Sequence, residues 1–267
     1  MAERLRRTFT DAAAADRAVL LPYMTAGLPG PDTSLDMFKA MAEAGADGFE
    51  VGIPYSDPLM DGPTIHEAGL RAINAGATVG SSLQLVESVV AGTGKPVVVM
   101  TYVNPILAIG VDVFCNRVAS AGGSGLIVAD LPADESDEIA AACAAAGLGL
   151  VLFVAPTTDD ERLAQVVARK PLFVYGIAEL GVTGKREQAS SHAAELTSRI
   201  KAVTKVPVVL GVGISGPESA AAAAGVADGV IVGSALVRRV LDAASPAQAA
   251  ADLSSAVAAL AASMHRS

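Results

Sequence analysis

Tryptophan is absent from the 267 residues, and aromatic side chains make up only 4% of them. A core must therefore be packed by Ala, Val, Leu and Ile, the bulk of an apolar fraction of 52% at a mean hydropathy of +0.47. That diet suits buried parallel strands covered by Ala-rich helices. Basic residues are also scarce. Nineteen Lys and Arg against 28 Asp and Glu leave a formal charge of -9 and a pI near 4.8, which argues against a nucleic-acid surface. An anionic small molecule is not excluded, because backbone amides hold phosphate without a basic patch. The two cysteines, Cys115 and Cys143, fall in different expected helices with no CxxC or Cys/His spacing, so they read as buried free thiols rather than a disulfide framework. His66, His192 and His265 are far apart with no ligand spacing, and no metal site is expected. No stretch approaches the roughly 18 apolar residues of a spanning helix. Arg4, Arg6 and Arg7 make a basic start, but Thr8 to Ala18 carries two Asp and no long apolar run, unlike a signal peptide. The expectation is a cytoplasmic, soluble chain with no membrane or nucleic-acid partner.

What is present is alternation. Short β-branched apolar runs recur at Val19–Thr25, Gly48–Val51, Val97–Thr101, Gly125–Ala129, Leu148–Val154, Leu172–Tyr175, Pro207–Gly211 and Gly229–Val232. Ala-rich segments of helical spacing separate most of them, among them Leu35–Ala44 and Ser136–Ala146, and Gly45, Gly147 or Gly225 often closes the helix before the next strand. Such alternation implies parallel strands joined by crossover helices. Eight units favour a closed (β/α)8 TIM barrel, of the α/β class, over an open doubly wound sheet. No linker or composition shift divides residues 1–267, which read as a single domain with extra N- and C-terminal helices at Arg4–Ala15 and Pro246–Met264. The longest interruption, Gly52–Gly80, follows the second strand, and loops at the C-terminal ends of barrel strands carry the chemistry in this architecture.

Glu50 stands near the end of an otherwise apolar strand, Gly48-Phe49-Glu50-Val51. Burial there raises a carboxyl pKa toward the range that proton transfer at neutral pH requires, unless a neighbouring Lys or Arg pairs with it. Asp61 follows on a loop able to fold back over the strand ends. Asp57, before Pro58, reads more readily as a turn former. Phosphate is signalled by Gly211-Val212-Gly213-Ile214-Ser215 after the seventh strand, whose N–H groups are expected to be open, and by Gly233-Ser234-Ala235 after the eighth, with Ser234 expected as N-cap. Loops after strands seven and eight form the recurrent phosphate site of barrels. Gly181-Val182-Thr183-Gly184 follows the sixth strand, with Thr183 and Gly184 placed to close over that site. Tyr102, Asn104 and Tyr175 fall at strand ends and are candidates to line a pocket, while Asp130 either accepts a hydrogen bond in the site or caps its loop. On these residues alone the chain is a barrel enzyme for a phosphorylated small molecule, such as a sugar-phosphate isomerase.

The same residues resemble the tryptophan synthase alpha-subunit family. Glu50-Val51-Gly52-Ile53-Pro54-Tyr55-Ser56-Asp57-Pro58-Leu59 and Asp61-Gly62-Pro63-Thr64-Ile65 are similar to its most characteristic stretch. Thr101-Tyr102-Val103-Asn104-Pro105, Val128-Ala129-Asp130-Leu131-Pro132, the glycine loops and Gly233-Ser234-Ala235 follow in the family's order, so the likeness runs from about Leu20 to Arg239. It implies retro-aldol cleavage of indole-3-glycerol phosphate to indole and glyceraldehyde 3-phosphate. It also implies Asp61 as acceptor of the indole N–H, Glu50 as general acid–base, and substrate contacts from Tyr102, Tyr175, Thr183, Gly184, Gly213, Gly233 and Ser234. It implies no cofactor in this subunit and a beta-subunit partner with pyridoxal phosphate in an alpha-beta-beta-alpha tetramer. A stand-alone lyase and a non-catalytic allosteric homologue are the alternatives. The chain departs from the pattern at Ala178-Glu179-Leu180, where many relatives carry a positive charge, and at Val212, where an aromatic residue is common.

Overall fold

The computed structural model describes residues 1–177, 186–211 and 213–266, with residues 186–191 described in backbone only. The parallel strands are β1 Val19–Thr25, β2 Phe49–Gly52, β3 Val97–Thr101, β4 Gly125–Val128, β5 in two pieces, Gly149–Leu150 and Leu152–Val154, β6 Val174–Gly176, β7 Val208–Leu210 and β8 Gly229–Val232. The first piece of β5 pairs with β4 and the second with β6, while β1 pairs with both β2 and β8. Val151 interrupts β5 without opening the sheet. Its N–H donates to the Leu126 carbonyl at 2.9 Å, and Leu172 N–H donates to the Leu150 carbonyl at 2.7 Å. The ring is therefore an eight-stranded barrel, as the alternation implies. All but a residue or two at each strand end follows the apolar runs, because those runs are what both faces of a parallel strand must bury.

At its two ends the chain adds a helix before the first strand and one after the last strand–helix unit. The helix Ala2–Ala14 turns Leu5, Phe9 and Ala12 into the core, with the Phe9 ring 6.1 Å from that of Phe173. Phe9 also approaches Gly229 so closely that a Cβ there would stand 3.0 Å from its ring. This helix thus covers the end of the barrel where the strands begin. The helix Pro246–Ala262 packs against Ser34–Glu43. Cys115 and Cys143, on helices Val111–Ser120 and Asp137–Ala145, are buried and free, and their sulfurs lie 3.8 Å apart. Of the three glycines expected to close helices, Gly45 and Gly147 have the positive φ of such caps, +107° and +73°; Gly225 has φ of -63° and continues the right-handed turn. Among the described residues, no helix is long and apolar enough to cross a membrane.

Candidate active site

The barrel register sets Glu50 beside Tyr23 of β1 and Val98 of β3. Its residue exposure is 4%, and among the described residues nothing hydrogen-bonds its Oε2. Among the described residues no Lys or Arg forms an ion pair with it. Burial, and then the charge of Asp61, push its pKa up to about 8. A buried acceptor left unpaired is rare in a folded protein and marks a place where the chain forgoes stability.

Asp61 sits on the loop after β2, half-buried, in a turn closed by its own N–H to the Pro58 carbonyl at 3.0 Å. Burial raises its pKa too, while the facing hydroxyl of Tyr102 and the nearby His66 pull the other way. Tyr102 is almost fully buried. Its hydroxyl accepts from Met60 N–H at 3.3 Å, so it stands behind the Asp61 loop as its support. Tyr102, a candidate pocket residue, is not among those lining the cavity that Glu50 and Asp61 share, and its oxygen takes the loop's Met60 N–H. Asn104 also faces the loop, donating to the Tyr55 hydroxyl at 2.9 Å. Asp130 accepts from Val103 N–H at 2.8 Å and so caps the loop after β3. Asp57 is exposed, and its carbonyl accepts from Leu59 N–H at 3.0 Å in a tight turn.

Glu50 and Asp61 line one cavity of about 420 Å³ at the C-terminal ends of the strands, together with Tyr175, Gly213, Gly233 and Ser234. Ile65, Met100, Ile127, Phe153 and Ile231 supply its apolar wall. Two tyrosines cross the mouth of the barrel over two glycines. A Cβ on Gly52 would collide with the Tyr23 ring and hydroxyl, and one on Gly211 with those of Tyr175. Phe153 stacks on Tyr175 with centroids 5.2 Å apart. Both tyrosines stay neutral, burial first pushing their pKa values up and the carboxylates adding to it, although the Tyr23 hydroxyl's bond with Thr25 at 3.2 Å opposes the shift. The result is a slot with aromatic and aliphatic sides, one protonatable group and one loop carboxylate.

The opposite side of the cavity has a different chemistry. Ser234–Asp242 forms a helix whose N-cap is Gly233, not Ser234. The Gly233 carbonyl accepts from Leu236 and Val237 at 2.9 and 3.0 Å, at φ -109° and ψ -87°, a backbone geometry in which glycine meets no Cβ hindrance. Ser234 is thus the first helical residue, and among the described residues nothing accepts from the N–H groups of Ser234 or Ala235. Gly213 has φ +80°, a left-handed turn suited to glycine. The expectation of open amides fails for Ser215, whose N–H donates to Ser219 Oγ at 3.0 Å. Thr183, Gly184, Glu179 and Val212 lie outside the described residues.

Tyr23, Ile65, Phe153 and Ile231 escaped the sequence reading. Tyr23 and Phe153 have a recoverable signal, since each pairs in register with a residue already singled out, Glu50 and Tyr175. Among the described residues no group of three or more His, Cys, Asp or Glu is placed to hold a metal ion.

A (β/α)8 barrel with two carboxylates and a helix N-terminus around one apolar slot has the arrangement of a barrel enzyme's active site. A family model of the tryptophan synthase alpha chain matches residues 9–265, and the chain belongs to that family. It is 48% identical over 240 residues to the tryptophan synthase alpha chain of Salinispora tropica, spanning 90% of each, and 43% identical over 234 residues to that of Carboxydothermus hydrogenoformans, spanning 88% of each. A tryptophan synthase structure from Mycobacterium tuberculosis superposes with a TM-score of 0.89 at 42% identity over 99% of both chains. The tryptophan synthase subunit alpha of Legionella pneumophila does so at 0.88 and 31% over 98% of both.

Proposed function

We propose that this chain is the lyase subunit of a tryptophan synthase, cleaving indole-3-glycerol phosphate to indole and glyceraldehyde 3-phosphate. The observation that carries the reading is Glu50, a buried carboxyl lining the slot, with one oxygen unpartnered among the described residues and its pKa at about 8. Such a group is largely protonated at neutral pH. It donates its proton to C3 of the indole ring, which breaks the ring's aromaticity and makes C3 a competent leaving group. As the C3–glycerol bond breaks, its two electrons return to the ring and restore the indole. The carboxylate then takes the proton of the adjacent glycerol hydroxyl, which becomes the aldehyde. One residue serves as acid and then base, with no net change in its protonation. Asp61 has the complementary task. Burial raises its pKa, but the Tyr102 hydroxyl and His66 oppose that shift, and in its ionised form it accepts the indole N–H and stabilises positive charge on the protonated ring.

The phosphate is held by backbone amides at Gly213, Gly233 and Ser234, with Thr183 and Gly184 closing over it; Tyr175 packs on the ring. This proposal fits a chain of net charge -9, because helix amides supply local positive potential without basic side chains. The chemistry calls on groups of this chain alone, and pyridoxal phosphate belongs to the beta subunit that receives the indole, within an alpha-beta-beta-alpha tetramer. Docking of that partner is supported by Leu59 and Met60, 82% and 61% exposed on the loop after β2, and by Leu107, 57% exposed on the helix Val103–Ile109 that follows β3. The stiff turn Pro54–Pro58 runs between that surface and Glu50 and transmits the contact.

The test is direct. Purified chain supplied with indole-3-glycerol phosphate should release indole and glyceraldehyde 3-phosphate in equal amounts, faster when a cognate beta subunit is titrated in. No indole with or without the partner would end the reading, and release without any acceleration would leave a stand-alone lyase.

A further inference from the structure

Two helices open onto the substrate slot, and they are fastened to each other. Pro63–Asn74 begins two residues after Asp61, and Ser234–Asp242 begins at Gly233. The Arg238 guanidinium donates from one nitrogen to Glu67 Oε2 at 3.1 Å and from the other to Thr64 Oγ1 at 3.0 Å. The other oxygen of Glu67 accepts from Arg71 at 2.7 Å, and Arg71 reaches back to the Leu241 carbonyl at 3.1 Å. Each helix thus donates to the other, with Glu67 shared at the centre.

Apolar packing gives this pair of helices little to fix their register. The residues that Pro63–Asn74 fully buries are Ala68, Gly69 and Ala72, which permit close approach, and its larger Ile65 is only partly buried. The Asp61 loop has few other ties. Among the described residues it is tied to the barrel by the Tyr102 hydroxyl, which takes the Met60 N–H and faces the Asp61 carboxyl, and by Asn104, which donates to the Tyr55 hydroxyl. The helix that begins two residues after Asp61 is therefore one of the few anchors that set its position. A planar arginine fork that takes two acceptors one turn apart fixes that helix in both translation and rotation, which a lysine point charge does not.

We propose that Arg238 is a positioning residue: through Thr64 and Glu67 it locks the helix that carries Asp61 to the helix whose N-terminus receives the phosphate, so that anchoring the phosphate sets Asp61 against the ring. The inference rests on the lyase reading and adds to it a coupling between the two ends of the substrate.

Arg238→Ala and Thr64→Val are measured singly and together, with Arg238→Lys as the conservative variant. For indole release, the structure expects kcat to fall about 5- to 30-fold in the singles, with affinity for glycerol 3-phosphate within about twofold of the parent. The double variant should be no worse than Arg238→Ala, and Arg238→Lys should recover part of the loss. In parallel, amide exchange is followed with and without glycerol 3-phosphate. The ligand should protect residues 58–66 in the parent and fail to do so in both single variants. Unchanged kcat, a loss confined to KM, additive effects in the double variant, or protection that survives Arg238→Ala each overturns the coupling. Thr64→Val removes one acceptor at nearly constant volume and keeps the test valid if Arg238→Ala folds poorly. Parent chain that protects the loop but releases no indole would refute the reaction and leave the coupling standing. Parent chain that releases indole without protecting the loop would do the reverse.

Discussion

The two ends of the barrel treat their carboxylates in opposite ways. Where the strands begin, Asp47 accepts both arms of Arg17 at 2.7 and 2.9 Å and the N–H of Leu20 at 2.9 Å. Asp228 there accepts Lys201 at 2.8 Å, Arg266 at 3.4 Å and the N–H of Val208 at 2.9 Å. Where the strands end, Glu50 is more deeply buried than either and, among the described residues, has an oxygen with no partner. A fork plus a backbone donor turns a partly buried charge into a fastening. The same residue class left unpaired becomes a reagent, with its pKa moved toward neutrality. The difference lies in what surrounds each group, and it separates the end of the barrel that holds the fold from the end that does chemistry.

Glu50→Gln breaks the comparison most severely. Indole release should drop by roughly 10²–10⁴-fold, the range of general acid–base residues, while affinity for glycerol 3-phosphate persists. Stability should move the other way. The folded pKa of about 8 lies above the ordinary carboxyl value of 4.5, so the native state binds the proton more tightly than the unfolded chain. The contribution is fully present below pH 4.5 and is lost as pH rises through about 8. The amide removes that loss, so the variant should be more stable than the parent at pH 7 by on the order of 3 kcal/mol, less the cost of burying an amide. Urea melts at several pH values measure this, and a destabilised variant at pH 7 would show that Glu50 is paired in solution. Asp61→Asn should also lose most activity, since an amide offers no negative charge to the ring. Its half-exposed loop position should leave stability much less affected.

Asp47→Ala sharpens the comparison from the other end. It strands the Arg17 guanidinium and the Leu20 N–H, which should cost about 2–3 kcal/mol of stability. The site is built from the opposite ends of the strands, so kcat and KM at a temperature where the variant is folded should match the parent. A tenfold loss of kcat in well-folded Asp47→Ala would mean that the two ends are not independent.

The barrel was legible because each strand is a run of apolar, largely β-branched residues bounded by glycine or a polar turn, and β1 and β3 match their runs residue for residue. Glu50 was legible for the converse reason, as an ionisable side chain in such a run. The misses share a physical cause. Ser234 is the kind of residue that caps a helix, but Gly233 reaches the capping backbone geometry without hindrance and takes the position, a choice that only φ and ψ reveal. Tyr102 sits at a strand end as expected, yet which way its hydroxyl goes depends on the fold of a loop 42 residues earlier. Arg238 and Glu67 are 171 residues apart, and a pattern read along the chain has no means of pairing them.

Tyr102→Phe is the finest test of the contrast, because it alters the environment of one carboxylate without touching either. The hydroxyl does two things at the Asp61 loop: it accepts the Met60 N–H at 3.3 Å, and it holds the Asp61 pKa down against the effect of burial. Phenylalanine keeps the ring packed on Tyr55, whose centroid lies 5.2 Å away, so the slot should retain its shape. Without the hydroxyl the Asp61 pKa rises further. If Asp61 must be ionised to stabilise the protonated ring, a rising pKa depletes the active form on the acid side. The acid limb of kcat/KM against pH should therefore move to higher pH, giving a loss of a few-fold at pH 6 that narrows as pH increases. The opposite limb belongs to Glu50, whose shift is caused first by its own burial, and should stay where it is. A loss of equal size at every pH would assign Tyr102 to holding the loop in place through Met60, with no part in the ionisation of Asp61. An acid limb that moves to lower pH would mean that Asp61 acts in its protonated form, and the division of labour between the two carboxylates would have to be reversed.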